Sequence, residues 1–195
     1  MSTSASPAPP RVLAGEGLPL AVARHASRGI GAIILRPDSP DLIEGVEIQC
    51  GTLWPDDRGF FTELFRFGGS DAWARQFSPL AQVSAALSYS GTIKAVHFHR
   101  KQTDLWAPVR GQLQVMLVDL RQRSATFGRM NTLYVGEWRP WRLRIPPGVG
   151  HGYKVVSESP ALMVYATDRF YDPSDEGRIP YDDADLNYDW ELQHK

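Results

Sequence analysis

The sequence has few of the features that mark a secreted, membrane or nucleic-acid-binding protein. Its single cysteine, Cys50, excludes an intrachain disulfide and a cysteine zinc cluster, and it fits a reducing compartment. No apolar run approaches the roughly 20 residues that a membrane helix needs, and residues 1–10 lack the basic flank and apolar core of a signal peptide. The 21 Lys and Arg residues nearly balance the 22 Asp and Glu residues, so no overall field attracts nucleic acid or an anionic membrane. We therefore expect a cytoplasmic protein that has neither nucleic acid nor a membrane as its partner.

The N-terminal part is rich in Ala, Ser, Pro and Gly, above all in residues 2–10. Such a composition does not easily bury enough apolar surface to offset the entropy lost on ordering. We expect a flexible N-terminal extension over residues 1–40, of which residues 1–31 form a flexible tail or a loosely docked arm, and one domain over residues 41–195. The carboxylate-rich residues 172–195 are expected to form a solvated wrap, because like charges usually remain in water.

Short apolar or alternating runs follow from Ile43 onward, separated by Gly, Pro and Asp, and this pattern is typical of an all-β sandwich or barrel. Nine strands are predicted, at residues 46–53, 60–67, 80–87, 92–99, 112–120, 132–135, 141–145, 152–157 and 161–167. A short connector helix is predicted over residues 70–77, because Ser70 can cap it and the spacing of Trp73 and Phe77 places both rings on one face.

Three of the five histidines are candidates for a shared site. His97 and His99 alternate along an apolar strand, so both imidazoles project from the same face of the sheet. His151 follows the turn-forming residues 145–150, just before the next strand. With Asp104 and the glycines Gly91 and Gly111, this pattern resembles the two motifs of the cupin family, with Asp where the first motif usually has Glu. In a small β-barrel of that kind, inward-facing residues of several strands meet in one cavity.

A second resemblance covers residues 42–190. It is carried by residues 57–63 (DRGFFTE), 94–99 (KAVHFH), 118–121 (VDLR), 124–128 (SATFG), 145–148 (IPPG) and 151–153 (HGY), and by Gln82, Ser88, Gly91 and Tyr165. Together these are similar to the dTDP-4-dehydrorhamnose 3,5-epimerase family. The resemblance implies a jelly-roll cupin barrel, a homodimer, a nucleotide-diphosphate sugar as substrate and no cofactor.

Inversion beside the carbonyl of a 4-keto-6-deoxysugar needs a base on one face, a proton donor on the other and stabilisation of the enolate. The resemblance assigns His97 as the base and Tyr165 as the acid. It assigns the substrate contacts to Arg58, Phe61, Glu63, Gln82, Lys94, His99 and His151. Arg58 and Lys94 would be the charge partners of the diphosphate.

The sequence departs from the family pattern at the catalytic positions. Asp104 stands where the family has its lysine, and Lys94, His99 and Ser84 replace an arginine, a glutamine and an asparagine. The family also orients its base with an aspartate beyond the final tryptophan, whereas the sequence ends five residues after Trp190. We expect Asp104 to take part in catalysis by orienting His97 or His99 through a carboxylate–imidazole hydrogen bond. Inversion at C3, at C5 or at both carbons stays open.

Two other functions remain as alternatives to the epimerase. In a metal-dependent cupin enzyme, His97, His99, Asp104 and His151 would hold Fe, Mn, Ni or Zn, because imidazoles and a carboxylate suit these ions. The third reading is a non-catalytic sugar-nucleotide-binding homologue that keeps the pocket. We favour the epimerase without metal, because Lys94 and Lys101 lie close in sequence and cations that hold a diphosphate would oppose a divalent ion.

Overall fold

The computed structural model describes residues 8–66 and 82–193, and all regular secondary structure in these residues is β-strand. The all-β fold class is therefore confirmed, and the connector helix predicted at 70–77 lies outside the described residues. The strands are β1 (Arg11–Leu13), β2 (Leu20–Val22), β3 (Ala32–Ile33), β4 (Glu47–Cys50), β5 (Trp54–Asp56), β6 (Gly59–Phe61), β7 (Gln82–Ser88), β8 (Ile93–His99), β9 (Asp104–Arg110), β10 (Gln112–Asp119), β11 (Met130–Gly136), β12 (Trp141–Ile145), β13 (Val149–Val155), β14 (Ala161–Thr167) and β15 (Glu176–Arg178). The described residues contain no helix long and apolar enough to cross a membrane.

Two sheets build the domain. One has six strands in the order β15-β8-β13-β10-β11-β3, and the other has five in the order β4-β12-β9-β14-β7. Val115 and Leu117 from the first sheet and Leu143 and Met163 from the second belong to one buried apolar cluster. The sheets therefore face each other across a common core, and side chains that point inward from either sheet can meet.

The six-stranded sheet is buried on its outer face as well. Leu117 of β10 points into the common core, whereas its neighbours Met116 and Val118 belong to a second cluster with Leu20 and Val22 of the N-terminal segment. Because successive side chains of a strand alternate between faces, an apolar outer face needs its own cover.

The described N-terminal segment provides part of that cover, so residues 11–34 resemble a docked arm more than a flexible tail. Leu20, Ala21 and Val22 are fully buried, and the backbone N–H of Ala21 donates to the carbonyl oxygen of Leu120 at 2.8 Å. The physical reason is that a few apolar residues are enough to hold a polar, turn-rich segment in place when they can be buried against an apolar face of the sheet.

The strand predictions fit best where alternation is clear and fail where proline intervenes. The bounds of β12 and β14 are those predicted, but β9 was missed because Pro108 argues against an inner strand. In the structure, β9 lies between β12 and β14, and its pairing with β14 shifts register next to Pro108. A register shift of this kind tolerates a residue that has no N–H for the ladder.

Candidate active site

A cavity of about 310 Å³ lies between the two sheets, and seven of the ten site residues predicted from the sequence line it. These seven are Gln82, Lys94, His97, His99, Asp104, His151 and Tyr165. The lining also includes residues that sequence reasoning missed, namely Ala86, Gln102, Trp106, Tyr153, Met163, Thr167, Tyr171, Glu176 and Arg178. The strand alternation that predicted a common face for His97 and His99 is confirmed, because both side chains line the cavity.

His97 is held at its Nδ1 atom and kept neutral by its surroundings. Nδ1 lies 3.1 Å from Oε1 of Glu176, and a carboxylate oxygen can only accept, so Nδ1–H is the donor. Burial lowers the pKa of His97 below its ordinary value of 6.5, and the charge of His151 lowers it further, although Glu176 opposes both. A histidine with a lowered pKa is largely neutral near pH 7, so His97 can accept a proton at Nε2.

Glu176 comes from the acidic stretch that was expected to be solvated. Its side chain is 12% exposed, and the preceding Asp175 is buried, where its carboxylate accepts the backbone N–H groups of Arg100, Lys101 and Gln102. The expectation of a solvated wrap is therefore wrong for Asp175 and Glu176. No local signal separates these two from the other carboxylates of the segment, because their partners lie far away in sequence.

Asp104 forms its hydrogen bonds with His151 and Gln102, whereas the sequence predicted a bond to His97 or His99. Its Oδ2 lies 3.3 Å from Nε2 of His151, and its Oδ1 accepts from Nε2 of Gln102 at 2.7 Å. Burial raises the pKa of Asp104, but the hydrogen bond and charge of His151, together with His99 and Gln102, outweigh it, and the net direction is downward. Asp104 is thus a buried carboxylate held in its ionised form.

His151 reaches the cavity from β13, where glycines flank it. A Cβ on Gly150 would crowd Val118, and a Cβ on Gly152 would overlap Ala95, so only glycine lets β13 lie this close on its other face. Nδ1 of His151 donates to the carbonyl oxygen of Val149 at 3.0 Å. This bond fixes the ring and directs Nε2 toward Asp104.

His99 completes a compact group with Asp104 and His151. One ligand atom from each of the three residues lies within 4.8 Å of the others, which is close enough to hold a metal ion. His97, the fourth ligand of the metal hypothesis, is not part of this group. The amide Nε2 of Gln102 lies 3.3 Å from Nε2 of His99 and donates to it, so His99 carries its own proton on Nδ1.

Tyr165 enters the cavity from the opposite sheet. It lies on β14, in register with Trp106 of β9 and Ser84 of β7. His97 lies on β8 of the six-stranded sheet, so the cavity has an imidazole on one wall and a phenol on the other.

The other three predicted contacts, Arg58, Phe61 and Glu63, do not line this cavity. Arg58 lies in the turn between β5 and β6, is strongly exposed and pairs with Asp56. Phe61 is 68% exposed, and Glu63 pairs with Arg66 at 2.7 Å. Within the described chain these three residues lie outside the cavity, and their contact with the substrate stays a prediction.

The comparisons with known proteins agree with the geometry. Residues 41–195 match the family model described as dTDP-4-dehydrorhamnose 3,5-epimerase. Over 156 residues the chain is 42% identical to the spore coat polysaccharide biosynthesis protein SpsL of Bacillus subtilis, which covers 79% of this chain and 100% of that protein. It is 33% identical to the probable low-salt glycan biosynthesis epimerase Agl13 of Haloferax volcanii, over 77% of this chain and 96% of that protein.

Solved structures show the same fold. The dTDP sugar isomerase of Desulfovibrio desulfuricans superposes with a TM-score of 0.69 at 27% identity, over 76% of this chain and 92% of that one. ChmJ, a 3'-monoepimerase of Streptomyces bikiniensis in complex with dTDP-quinovose, gives a TM-score of 0.66 at 29% identity, over 74% of each chain. The predicted jelly-roll cupin barrel is confirmed, and the chain belongs to the dTDP-4-dehydrorhamnose 3,5-epimerase family.

Proposed function

We propose that this protein is an epimerase of a nucleotide-linked 4-keto-6-deoxysugar in deoxysugar biosynthesis. His97 removes the proton beside the C4 carbonyl, at C3, C5 or both, and Tyr165 returns a proton from the other side. The observation that carries the proposal is the position of these two groups on opposite walls of one cavity. A sugar bound between the sheets would present one face to each, and inversion needs removal and return on opposite faces.

The protonation states support this division of roles. His97 donates from Nδ1 to Glu176, so its Nε2 lone pair is free to take the proton. The Tyr165 hydroxyl gives its proton to the enolate carbon, and solvent returns a proton to the phenolate after the imidazolium has lost its own. Lys94 and Arg178 are cations of the lining, and we assign them to the diphosphate.

The decisive experiment is transfer of solvent deuterium into a panel of 4-keto-6-deoxysugar nucleotides, followed by NMR. Deuterium at one carbon identifies a mono-epimerase, and deuterium at two identifies a double epimerase. Binding without any incorporation identifies the non-catalytic sugar-nucleotide binder and contradicts the proposal.

We also propose a homodimer, as the family resemblance implies. Among the described strands, β7 lies at the edge of its sheet, and its outward residues Val83 and Leu87 are 52% and 59% exposed. An edge strand with an apolar outer face is a site for pairing with a second chain. Sedimentation of the wild type against Leu87→Glu tests this, since a monomeric wild type contradicts it.

The metal-dependent enzyme remains the second candidate, supported by the close approach of His99, Asp104 and His151. The same atoms of Asp104 also satisfy His151 and Gln102 by hydrogen bonds, so the group is compatible with a protein that needs no ion. Metal analysis of the purified protein distinguishes the two. A cytoplasmic location, expected from the single cysteine, remains part of the proposal.

A further inference from the structure

The contact between Glu176 and His97 determines which nitrogen of the imidazole can act. Oε1 of Glu176 lies 3.1 Å from Nδ1 of His97 and accepts a hydrogen bond from it. The tautomer with Nδ1–H leaves the lone pair on Nε2. Without an acceptor at Nδ1, a neutral imidazole can exchange to the other tautomer, in which Nε2–H cannot take a proton.

The backbone holds Glu176 in place for this contact. β15 pairs antiparallel with β8, with Glu176 opposite His99 and Arg178 opposite His97, so the Glu176 side chain reaches its diagonal neighbour. Gly177 packs against Phe98, and a Cβ there would overlap the Phe98 ring. The absence of that Cβ allows the short strand to lie close to β8.

Arg178 constrains the carboxylate further. Its Nε donates to Oε1 of Glu176 at 2.7 Å, the same oxygen that accepts from His97. The Glu176 side chain is 12% exposed, whereas that of Arg178 is 70% exposed. One oxygen that accepts from both an imidazole and a guanidinium has little freedom to rotate away, because both bonds would be lost together.

We propose that Glu176 is the positioning residue of His97. It selects the Nδ1–H tautomer, directs Nε2 into the cavity and stabilises the imidazolium that forms when His97 takes a proton. This inference rests on the proposed epimerase function, and it assigns to Glu176 the role that the sequence had suggested for Asp104. Asp104 is engaged with His151 and Gln102.

The first test is the tautomer of His97 in the full-length wild type, read from ¹⁵N chemical shifts with His97→Asn to assign the signal. We expect a proton on Nδ1 and none on Nε2. Glu176→Ala, which removes the acceptor at Nδ1, should give a mixture of tautomers or the opposite one. A wild-type His97 that carries its proton on Nε2 overturns the inference, whatever the activity.

The second test is kinetic. We expect Glu176→Gln to lower kcat for deuterium exchange by about 100-fold, with KM changed by less than about threefold. Glu176→Asp should restore part of the rate, because it keeps the charge but shortens the reach. Glu191→Gln is the matched control, since Glu191 pairs with Lys154 outside the cavity and its loss should leave the rate unchanged.

The two tests separate this inference from the proposed function. Wild-type exchange with an unchanged rate in a folded Glu176→Gln protein overturns the inference and leaves the epimerase intact. If the wild type exchanges no proton with any substrate, the proposed function fails and the ¹⁵N measurement alone decides whether Glu176 orients His97. Circular dichroism confirms that each variant is folded before it is compared.

Discussion

Asp104 and His151 form a buried pair in the lining of the cavity, with Oδ2 of Asp104 3.3 Å from Nε2 of His151. Nδ1 of the same imidazole donates to the Val149 carbonyl oxygen, so it already carries one proton. A carboxylate facing Nε2 then requires a second proton between the two groups, because two acceptors would otherwise oppose each other. Asp104 and His151 therefore share one proton across this contact.

Breaking this pair should destabilise the protein. We expect Asp104→Ala to reduce the free energy of unfolding by about 3–5 kcal/mol, because it leaves a buried imidazole without its partner. Asp104→Asn should cost less, since an amide can still bond to His151 and Gln102. Asp38→Ala is the control, because the Asp38 side chain is 80% exposed. Urea denaturation measures all three, and equal losses for Asp104→Ala and Asp38→Ala would contradict the pairing.

His97→Asn should abolish exchange and preserve binding. The variant removes the base but none of the cations of the lining, so we expect the exchange rate to fall by about 10²–10⁴-fold. Affinity for dTDP, measured by calorimetry, should change little. His25→Asn, at a histidine outside the cavity lining, should exchange at the wild-type rate. Exchange by His97→Asn at that same rate would show that another group is the base.

Tyr165→Phe should separate removal of the proton from its return. Because His97 and Tyr165 lie on opposite walls, we expect deuterium exchange to continue while net inversion nearly stops. NMR of the sugar ring measures both in one sample, and Tyr134→Phe on β11 serves as the control. An equal loss of exchange and inversion would give Tyr165 another role, such as shaping the cavity.

Removal of metal should have no effect. We expect the purified protein to carry substoichiometric metal, and we expect EDTA to leave its thermal midpoint and its turnover unchanged. Emission spectrometry and a thermal scan with and without EDTA measure this. Stoichiometric iron, nickel, manganese or zinc with EDTA-sensitive turnover would favour the metal-dependent enzyme, since an ion bound only to the native state stabilises it.

Stability should fall as the pH falls from about 6.5. The pKa values of His97 and His99 are lowered from 6.5, chiefly by burial, so the unfolded chain binds protons in a range where the native protein does not. Their contribution is complete above pH 6.5 and is lost as the pH falls toward the folded pKa values. The lowered pKa of Asp104 affects stability only in more acidic solution, because the stability that the ionised carboxylate contributes is lost only as the pH falls through the pKa of Asp104 in the folded protein. Thermal midpoints from pH 8 to pH 5 measure the effect, and a flat profile would contradict it.

Local pattern was enough to predict the all-β class, the bounds of β12 and β14, and the common face of His97 and His99. These features depend on the alternation of apolar and polar residues along one strand, which is visible in the sequence itself. The family resemblance added Tyr165, Gln82 and Lys94, which the structure brings to the same cavity. Arg58, Phe61 and Glu63 carry the same resemblance but lie elsewhere in the described chain.

The partners of the buried charges were decided by tertiary structure alone. From the sequence, Asp175 and Glu176 belong to a solvated acidic stretch. In the structure, β15 pairs with β8, which brings the Glu176 carboxylate to His97 and the Asp175 carboxylate to buried backbone N–H groups. Asp104 turns to His151 because β9 and β13 approach across the cavity from different sheets. The strand sequences determine which side chains point inward, but the pairing of strands distant in sequence determines which of those side chains meet. Desolvation then strengthens each such contact, because an unpaired polar group is costly in the low-dielectric interior.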